Sequence, residues 1–595
     1  MPRMMPLLAV ILLASLVLRL HGDDQAVVID IADFGAVPDS GRDAALAFQQ
    51  AIAAAKAVNA PAPVATAAPP TVAAAPVARP VVIRLHPGRY DIFPEHAAIG
   101  DYHITNTGSE EEVPSTRKPV GLHLVDCIAL TIDGGGALLM LHGKMLPIAL
   151  ERCRDVLIRD LHVDFARPTM SELTVVAVAE RSLDAQIHGD SPYEIAAGRL
   201  TWVGEGWRDA GAAAQGYDPV RDTTWRGWNP VTSAASASEL KPGLVRFTYA
   251  KKPDARPGLV FQLDDAVRDM VGVLMVRCRG ISWQDVGMHY MHGLGFVGQF
   301  SEDLTFRRVT CEPRPESGRS CAGSADFMQF SGCRGTVRVL DSRFAGSKDD
   351  PINVHGTHLR IVARPDPLHL VVRFMHAQTY GFAAFAAGDE IEFVHTRTLL
   401  SYGAGTVRTV EMLSPREQLL TLAAPAPAGA QEDDCVENIS ATPAVEIRGC
   451  RFRRDPTRGI LVTTRRTVVI ADNRFERTTM SAILISDDAK YWFESGPVRD
   501  VTISGNLFQE CAEPVIHILP ENTEAVAGAC VHRNIRILGN RFELTGTRAI
   551  SAKSTDGLAV RGNTFVCAAP TTAEALIQLT ACEHVDIGDN RCETR

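Results

Sequence analysis

The chain has 595 residues, of which 46% are apolar, and its formal net charge is −10. This length exceeds what one typical domain needs, so we expect one large repetitive domain or several compact ones. No long basic run occurs, which disfavours nucleic acid, an anionic membrane surface and a polyanionic substrate as partners.

The first 22 residues have the pattern of a secretory signal. In MPRMMPLLAVILLASLVLRLHG, Arg3 precedes an apolar run that Arg19 interrupts, and the run is too short to span a membrane. We therefore expect residues 1–22 to be a signal peptide, with an uncleaved anchor as the alternative. The protein would then be secreted or periplasmic, and free of the membrane once the signal is removed.

Residues 23–170 are predicted to form an N-terminal cap and the first turns, or rungs, of a repetitive domain. The stretch VIDIADFGAVPDSGRDAALAFQQAIAAAK predicts a strand, a turn at Gly35 and an Ala-rich helix that covers the first rung. Residues 57–80 consist mostly of Ala, Pro and Val, and this low complexity predicts a disordered or polyproline-like surface insertion.

Two segments interrupt the repeat with alternating, hairpin-like strands. Residues 171–265 include GLVRFTYAKKPDA, and residues 358–440 include LRIVARPDPLHLVVRFMHAQ. Period-two alternation between turn residues is typical of small antiparallel sheets. We predict that each segment is a small β-barrel inserted into the main domain.

The main domain is predicted from a short recurring motif of alternating β-formers, a turn residue and, in most copies, an aromatic residue. Its copies in residues 266–357 and 441–595 are VRVLDSRF from Val337, VEIRGCRF from Val445, VVIADNRF from Val468, VTISGNLF from Val501, IRILGNRF from Ile535, LAVRGNTF from Leu558 and VDIGDNRC from Val585. Strands that recur every 20 to 35 residues indicate a solenoid in which each rung buries its face against its neighbours. The fold class is therefore all-β, a right-handed parallel β-helix.

Two internal ladders are expected from this repeat. The asparagines of successive copies would stack at one corner, where Asn tolerates the left-handed conformation and hydrogen-bonds its neighbours' backbone. The phenylalanines would form an internal aromatic stack. The thirteen cysteines are scattered without C-x-x-C pairs, so core packing explains them better than a metal site or a disulfide framework.

The candidate chemistry lies in GSADFMQF and GSKDDPINVHG. Asp326 and Asp349 are 23 positions apart, about one rung, and Asp350 adds a third carboxylate. Carboxylates this close cannot all ionise without cost, so their pKa values should separate into those of an acid and a base, as glycoside hydrolysis requires. The alternative is that Asp349 and Asp350 are ordinary turn residues, and the second pair, Asp487 and Asp488, shows that such pairs occur elsewhere.

Ten motifs in order, from about Ile29 to the C-terminus, resemble glycoside hydrolase family 110. They are DFGAVPD, YDIFPE, LHGKMLPI, VDFARPTMSE, GEGW, SADFMQFSGCRG, KDDPINVHG, DPTRGILVTTRR, DDAKYWFESG and HILPEN. The resemblance implies a secreted bacterial, metal-independent, inverting exo-α-1,3-galactosidase on a β-helix with inserted barrels, which removes galactose from blood group B and related glycans. The family's proposed catalytic aspartates match Asp326, Asp349 and Asp350.

The layout is also similar to that of the family 28 polygalacturonases. By that analogy Asp349 would be the acid, and Asp326 with Asp350 would hold the water. The motifs do not distinguish a linear α-1,3-galactoside from the fucosylated branch as the substrate.

Substrate contacts are predicted at His355, Arg458, Trp492 and Glu494, because an aromatic face stacks on a sugar and charged groups fix its hydroxyls. Each of the four has a purely structural alternative. Phe493 stands where the family has a tyrosine after the Trp, which removes one hydroxyl. No metal or other cofactor is expected, the expected partner is a glycan with terminal α-galactose, and the sequence leaves homo-oligomerisation open.

Three other functions remain as alternatives: a Ca²⁺-dependent polysaccharide lyase of the same fold, a polygalacturonase-like hydrolase and a non-catalytic glycan-binding solenoid. A lyase acting on uronates should have a cationic groove, whereas this chain is acidic overall. Loss of activity with EDTA that Ca²⁺ rescues would favour the lyase. Unchanged sugar release after replacement of Asp349 by Asn, or no release from any glycan, would favour the non-catalytic solenoid.

Overall fold

The computed structural model describes residues 26–60 and 78–595, which wind as a parallel β-helix with two insertions of antiparallel strands. The signal predicted at residues 1–22 and most of the predicted 57–80 insertion lie outside the described residues. Among the described residues, no helix combines the length and apolarity that a membrane span requires.

The N-terminal region holds the first strands and the α-helix. Their bounds are β1 Val27–Asp30, α1 Ala45–Val58, β2 Val81–Arg84, β3 Arg89–Ile92, β4 Ala98–Asp101, β5 Arg117–Val125, β6 Ile128–Leu141, β7 Leu146–Glu151 and β8 Arg154–Phe165. As predicted, a strand, a left-handed turn at Gly35 and a helix follow one another, and α1 packs Phe48 and Ile52 into the core at the end of the β-helix. Short 3-10 helices occur at Ile31–Phe34, Pro315–Ser317 and Glu574–Leu576.

The first insertion forms a seven-stranded antiparallel sheet, in the order β15-β14-β18-β9-β10-β17-β16, and a small three-stranded sheet. Its strands are β9 Ser171–Val178, β10 Ser182–Ile187, β11 Tyr193–Ala196, β12 Arg199–Gly204, β13 Trp207–Asp209, β14 Ala213–Asp218, β15 Thr223–Arg226, β16 Ser236–Lys241, β17 Leu244–Thr248 and β18 Val260–Asp264. No pairing among the described residues joins the outer strands β15 and β16, so the strand pairing here is that of an open sheet around its own core.

The central rungs run from β19 to β27. Their bounds are β19 Val271–Val276, β20 Arg279–Met288, β21 Leu294–Gln299, β22 Glu302–Arg307, β23 Thr310–Cys311, β24 Met328–Ser331, β25 Arg334–Leu340, β26 Arg343–Ala345 and β27 Ile352–Asp366. Strand β27 is unusually long because its first half belongs to the β-helix and its second half enters the second insertion.

The second insertion is a closed barrel of six strands. Strand β27 pairs with β28, the pairing continues through β31, β30 and β29 to β32, and β32 pairs back with β27. The new strands are β28 His369–Arg373, β29 Glu390–Val394, β30 Ser401–Met412, β31 Glu417–Leu422 and β32 Cys435–Asn438.

The C-terminal rungs complete the β-helix. Their strands are β33 Ala444–Arg448, β34 Arg451–Arg453, β35 Ile460–Val462, β36 Val468–Ala471, β37 Arg474–Glu476, β38 Ile483–Ile485, β39 Glu494–Ser495, β40 Val501–Ser504, β41 Leu507–Gln509, β42 Ile516–Ile518, β43 His532–Leu538, β44 Arg541–Glu543, β45 Ile550–Lys553, β46 Thr555–Arg561, β47 Thr564–Cys567, β48 Ile577–Thr580, β49 Asp586–Gly588 and β50 Arg591–Thr594.

The repeat motifs pair in register along one 22-stranded sheet of the β-helix, which confirms the predicted periodicity. Val445 lies opposite Val468, which lies opposite Val501, and this column continues to Ile535 and Leu558. A second sheet of mostly parallel strands, which includes β21, β24, β27, β35 and β38, forms another side of each rung and carries the candidate site.

Both predicted ladders are present. The stacked phenylalanine rings are 4.6 to 5.1 Å apart between centroids along Phe344, Phe452, Phe475, Phe508, Phe542 and Phe565. In the asparagine ladder, Asn506 Nδ2 donates to Asn540 Oδ1 on the next rung and to Ile470 O on the preceding rung, both at 2.9 Å. The left-handed residue is not the asparagine, however, but the residue before it, such as Gly505, which as a glycine adopts a positive φ readily.

The cysteines pack as predicted in most cases. All thirteen lie in the described part of the chain, none is joined in a disulfide, and eleven are buried. Cys450 is one of the buried ones, whereas Cys592, in the last repeat, is exposed because no further rung covers it.

Candidate active site

The three candidate aspartates lie just before neighbouring strands of the second sheet. Met328 of β24 lies opposite Ile352 of β27, so the residue next to Asp326 in the ladder is Asp350 rather than Asp349. The spacing of 23 positions had suggested Asp349, but the parallel ladder continues through the turn, where the Phe327 amide donates to Asp350 O at 3.2 Å. Asp349 is therefore displaced from this column.

Arg458 continues the column on the next rung. Ile352 lies opposite Ile460 of β35, which places Arg458 beside Asp350 just as Asp350 lies beside Asp326. Two carboxylates and a guanidinium thus occupy equivalent positions on three successive rungs.

A glycine allows the turn before β27 to approach the preceding rung. Gly346 has a φ of +79°, and a Cβ atom there would lie 2.6 Å from Ser320 O. Both the left-handed conformation and the close backbone contact require glycine. This turn carries Ser347, Lys348 and Asp349 outward from the sheet.

The aspartates line a cavity of about 360 Å³ on the outer face of the second sheet. Its walls come from the N-terminal region, the first insertion, the central rungs and the C-terminal rungs. The lining residues are Asn106, Arg226, Arg268, Asp326, Asp349, Asp350, Asn353, Arg458, Leu461, Thr463, Leu484, Ser486, Asp488, Tyr491, Trp492, Glu494 and Glu521.

Asp349 is held by arginines from three parts of the chain. Arg268 Nη2 donates to its Oδ2 at 2.6 Å, Arg226 Nη2 lies 3.0 Å from its Oδ1, and Arg458 Nη2 lies 4.0 Å from the same oxygen. Burial alone would raise the pKa of Asp349, but these three guanidinium groups outweigh burial and hold the pKa below its ordinary value. Asp349 is therefore the carboxylate that stays ionised.

Asp350 is fixed by one bidentate partner. Arg458 donates from Nε and Nη2 to Asp350 Oδ2 at 3.0 and 2.7 Å, and its backbone amide donates to Oδ1 at 3.1 Å. Burial nevertheless raises the pKa of Asp350 against the effect of Arg458, and the charge on Asp349 adds to the rise. Arg458, predicted as a substrate contact, lines the cavity but is engaged mainly by Asp350.

Asp326 has the opposite environment from Asp349. It is 5% exposed, and no hydrogen-bond donor within the described residues stabilises its charged form. Burial raises its pKa well above the ordinary value, and the negative charges of Asp349 and Asp350 raise it further. Asp326 is thus the carboxyl group in this cavity that most strongly retains a proton.

Glu494 lines the cavity, whereas His355 lies behind it. Asn106 Nδ2 donates to Glu494 Oε1 at 2.9 Å, and His355 Nε2 lies 3.6 Å from the same oxygen. His355 is 2% exposed, donates from Nδ1 to Gly356 O at 2.6 Å and accepts from Gln329 Nε2 at 2.8 Å. It is absent from the cavity lining, so the structure places this predicted substrate contact as a support for Glu494 instead.

Trp492 stands at the exposed edge of the cavity. The residue is 42% exposed, and its ring packs on His376 of the second insertion with 4.1 Å between ring centroids. The loop that carries Trp492 is closed by Asp488, whose carboxylate accepts hydrogen bonds from the amides of residues 490–493. The second aspartate pair therefore includes a residue that shapes this cavity.

Several lining residues carry no recognisable signal in the sequence. Arg226 and Arg268 are single basic residues in or just after the first insertion, and only the fold brings them to Asp349. Asn106 likewise comes from an irregular segment before β5. Asn353 could have been inferred, because strand alternation from Ile352 places it on the outer face.

One cluster outside the cavity has the geometry to hold a metal ion among the described residues. Asp556, Glu583 and His584 lie together on the last rungs, and His584 Nδ1 is 2.7 Å from Asp556 Oδ1. Exposed acidic groups of this kind are common without a metal, so we assign the cluster no role.

The chain matches models of three known domains. These are GLAA-B beta-barrel domain I over residues 171–261, GLAA-B beta-barrel domain II over residues 369–436 and a right-handed beta helix region over residues 435–592. The right-handed parallel β-helix that the repeat predicted is thereby confirmed.

Relatives match over most of the chain. An alpha-1,3-galactosidase A from Bacteroides fragilis is 43% identical over 551 residues, which are 91% of this chain and 88% of the relative. An alpha-1,3-galactosidase A from Akkermansia muciniphila is 40% identical, with 82% and 81% covered. An alpha-1,3-galactosidase B from Bacteroides thetaiotaomicron is 32% identical, with 98% and 94% covered.

Three clustered carboxyl groups in a cavity of a β-helix, one kept ionised and one inclined to keep its proton, are the arrangement that glycoside hydrolysis requires, and the relatives are named glycoside hydrolases. The identity and coverage of the relatives specify the family of glycoside hydrolases. The chain belongs to the α-1,3-galactosidase family, glycoside hydrolase family 110, as its ordered motifs predicted.

Proposed function

We propose that this enzyme hydrolyses terminal, non-reducing α-1,3-linked galactose from glycans. The observation that carries the proposal is the cavity in which Asp326, Asp349 and Asp350 meet under opposed electrostatic influences, in a chain 43% identical to a named α-1,3-galactosidase. A glycan is the substrate class, and galactose is its terminal sugar.

In this proposal Asp326 is the general acid and Asp349 is the general base. A carboxyl group with a raised pKa can protonate the departing glycosidic oxygen, and a carboxylate that its arginine neighbours keep ionised is available to accept a proton from the attacking water. Asp350, fixed by Arg458, would orient the water or a sugar hydroxyl. This assignment exchanges the roles of Asp326 and Asp349 relative to the polygalacturonase analogy.

The same arrangement favours inversion of configuration. An inverting enzyme activates a water on the face of the sugar opposite the leaving group, whereas a retaining enzyme needs a carboxylate free to attack the anomeric carbon. Asp349 is engaged on both oxygens by Arg268 and Arg226, which suits a base that must be oriented better than it suits a nucleophile. α-Linked galactose would then be released as β-galactose.

The substrate would be held by the remaining walls. Glu494, fixed by Asn106, can accept hydrogen bonds from sugar hydroxyls, and the exposed face of Trp492 can stack on the apolar face of a pyranose. Trp492 lies at the edge of the cavity, where the substrate enters.

We also propose that the enzyme acts outside the cytoplasm. The support is the sequence of residues 1–22, a basic residue followed by an apolar run of signal-peptide length. Fractionation of cells that express the full chain, with N-terminal sequencing of the product, tests this proposal, and an intact cytoplasmic chain would contradict it.

The activity is tested with purified enzyme on linear Galα1-3Gal and on branched B-type oligosaccharides. We expect free galactose from at least one of them, with or without EDTA, and β-galactose as the first anomer seen by proton NMR. No galactose from either glycan would refute the proposed function. α-Galactose appearing before mutarotation would refute inversion alone.

A further inference from the structure

A hairpin of the first insertion reaches directly into the catalytic cavity. Strands β14 and β15 form this hairpin, and Arg226 is the last residue of β15. The Arg226 Nη2 atom donates to Lys348 O at 2.9 Å and lies 3.0 Å from Asp349 Oδ1. One guanidinium thus contacts both the backbone and the carboxylate of the catalytic turn.

The same insertion holds the rest of that turn. Gln215 of β14 is fully buried, and its Nε2 donates to Ser347 O at 3.1 Å. The Lys348 ammonium forms an ion pair with the carboxylate of Asp264 at the end of β18. Ser347, Lys348 and Asp349 are therefore each bound by a different strand of the first insertion.

The far end of the hairpin is anchored on the C-terminal rungs. Asp222 lies in the turn between β14 and β15, and its carboxylate is 3.6, 3.2 and 3.7 Å from the side chains of Arg453, Arg454 and Arg477. Tyr217 OH donates to Asp222 Oδ1 at 3.1 Å. The hairpin is thus held at its tip by three cations and at its base by the catalytic turn.

We infer that the hairpin Ala213–Arg226 is a brace for the catalytic turn and that Arg226 is a positioning residue for Asp349. This inference rests on the proposed function, and it makes the first insertion part of the catalytic machinery rather than an accessory domain. Arg226 fixes one carboxylate oxygen of Asp349, while Arg268 fixes the other. A carboxylate held on one oxygen alone could rotate away from the water that it activates, and small displacements of catalytic groups cost up to about 10²-fold in rate.

The direct test is Arg226→Gln, with Arg226→Lys as the conservative variant and Arg221→Gln as the matched control. Arg221 lies in the same hairpin turn, its side chain is 80% exposed, and its guanidinium lies 3.9 Å from the carboxylate of Asp218. We expect Arg226→Gln to lower kcat by about 10- to 10²-fold, Arg226→Lys to restore part of it, and Arg221→Gln to leave it unchanged.

The pH profile separates positioning from a merely structural role. Asp349 faces the cations Arg226, Arg268 and Arg458, and the carboxyl groups of Asp326 and Asp350. Loss of one cation should raise the pKa of Asp349, so the acid limb of kcat/KM should move to higher pH in Arg226→Gln. A lower Tm with an unmoved limb and parental kcat would overturn the inference.

A second measurement does not depend on activity. Hydrogen exchange of the peptide that contains Ser347 and Asp349, followed by mass spectrometry, reports the mobility of the turn itself. We expect faster exchange in Arg226→Gln and in Asp222→Asn, which releases the anchored tip, but not in Arg221→Gln. Parental exchange in both variants would refute the brace, whereas an inactive parent enzyme would refute only the proposed galactosidase function.

Discussion

Replacement of Asp326 by Asn separates catalysis from stability. The amide has nearly the shape of the carboxyl group but cannot donate its proton to a leaving oxygen. No hydrogen bond to the Asp326 carboxyl group is found in the described structure, so the change breaks no such contact. The expected effect is therefore chemical.

The loss of a general acid sets the size of the kinetic effect. Such a group contributes about 10² to 10⁴ in rate, which at about 1.36 kcal/mol per factor of ten corresponds to about 2.7 to 5.4 kcal/mol of transition-state stabilisation. We expect this loss in kcat on an α-1,3-galactosyl disaccharide. The loss should be much smaller on an aryl α-galactoside with an acidic phenol, because that leaving group departs without protonation.

The thermal stability of Asp326→Asn should stay the same or rise, although its kcat falls. Burial raises the pKa of Asp326, so the folded protein binds this proton more tightly than the unfolded chain does. The resulting stabilisation is fully present below the unfolded pKa of about 3.9 and is lost as pH rises through the folded pKa. The amide of the Asp326→Asn variant carries no charge at any pH, so it does not lose stability in this way as pH rises. At pH 7 the Tm of the variant should therefore equal or exceed that of the parent.

The assay compares kcat on the two substrates and Tm at acidic and neutral pH. Glu521→Gln is a matched carboxyl-to-amide control, because Glu521 also lines the cavity and is not one of the three aspartates. We expect kcat of the control to keep its order of magnitude. Equal losses of Asp326→Asn on both substrates, or parental kcat on the disaccharide, would refute Asp326 as the acid.

Three further results are expected. Trp492→Ala should raise KM for oligosaccharides with little change in Tm, because the ring is exposed at the cavity edge; a steady-state comparison with unchanged KM would contradict the stacking role. Asn540→Ala should lower the free energy of unfolding by about 1 to 3 kcal/mol for each buried group left unpaired, measured by denaturant titration. Replacing residues 61–77 by a short Gly/Ser linker should leave Tm unchanged in calorimetry, because Asn59 and Arg79 already join the two ends through hydrogen bonds of 2.9 Å. A sharp fall in Tm would show that the segment packs against the protein.

The repeat alone was sufficient to predict the β-helix and its internal ladders. Phe475 stacks on Phe452 and Phe508 because each rung places the same motif position above the last one. Such contacts depend on local alternation and on self-similarity, both of which are visible in one sequence. The three aspartates were also found in this way, since they occur in motifs at about the spacing of one rung.

The charge state of those aspartates was not predictable from spacing. Arg226 arrives from the first insertion, Arg268 from the segment after it and Arg458 from a later rung, and their convergence on Asp349 follows only from the fold. His355 shows the same limit, because its motif marks it as a site residue while its burial places it behind Glu494.

The sequence by itself therefore determined the architecture, the family and the three candidate carboxyl groups of this protein. Only the tertiary structure decided which carboxyl group is held ionised, which one tends to keep its proton, and which neighbour Asp326 has in the ladder. The physical reason is that a periodic backbone repeats local contacts that the sequence spells out. The pKa of a buried group instead sums burial and charges from segments that are distant in the chain.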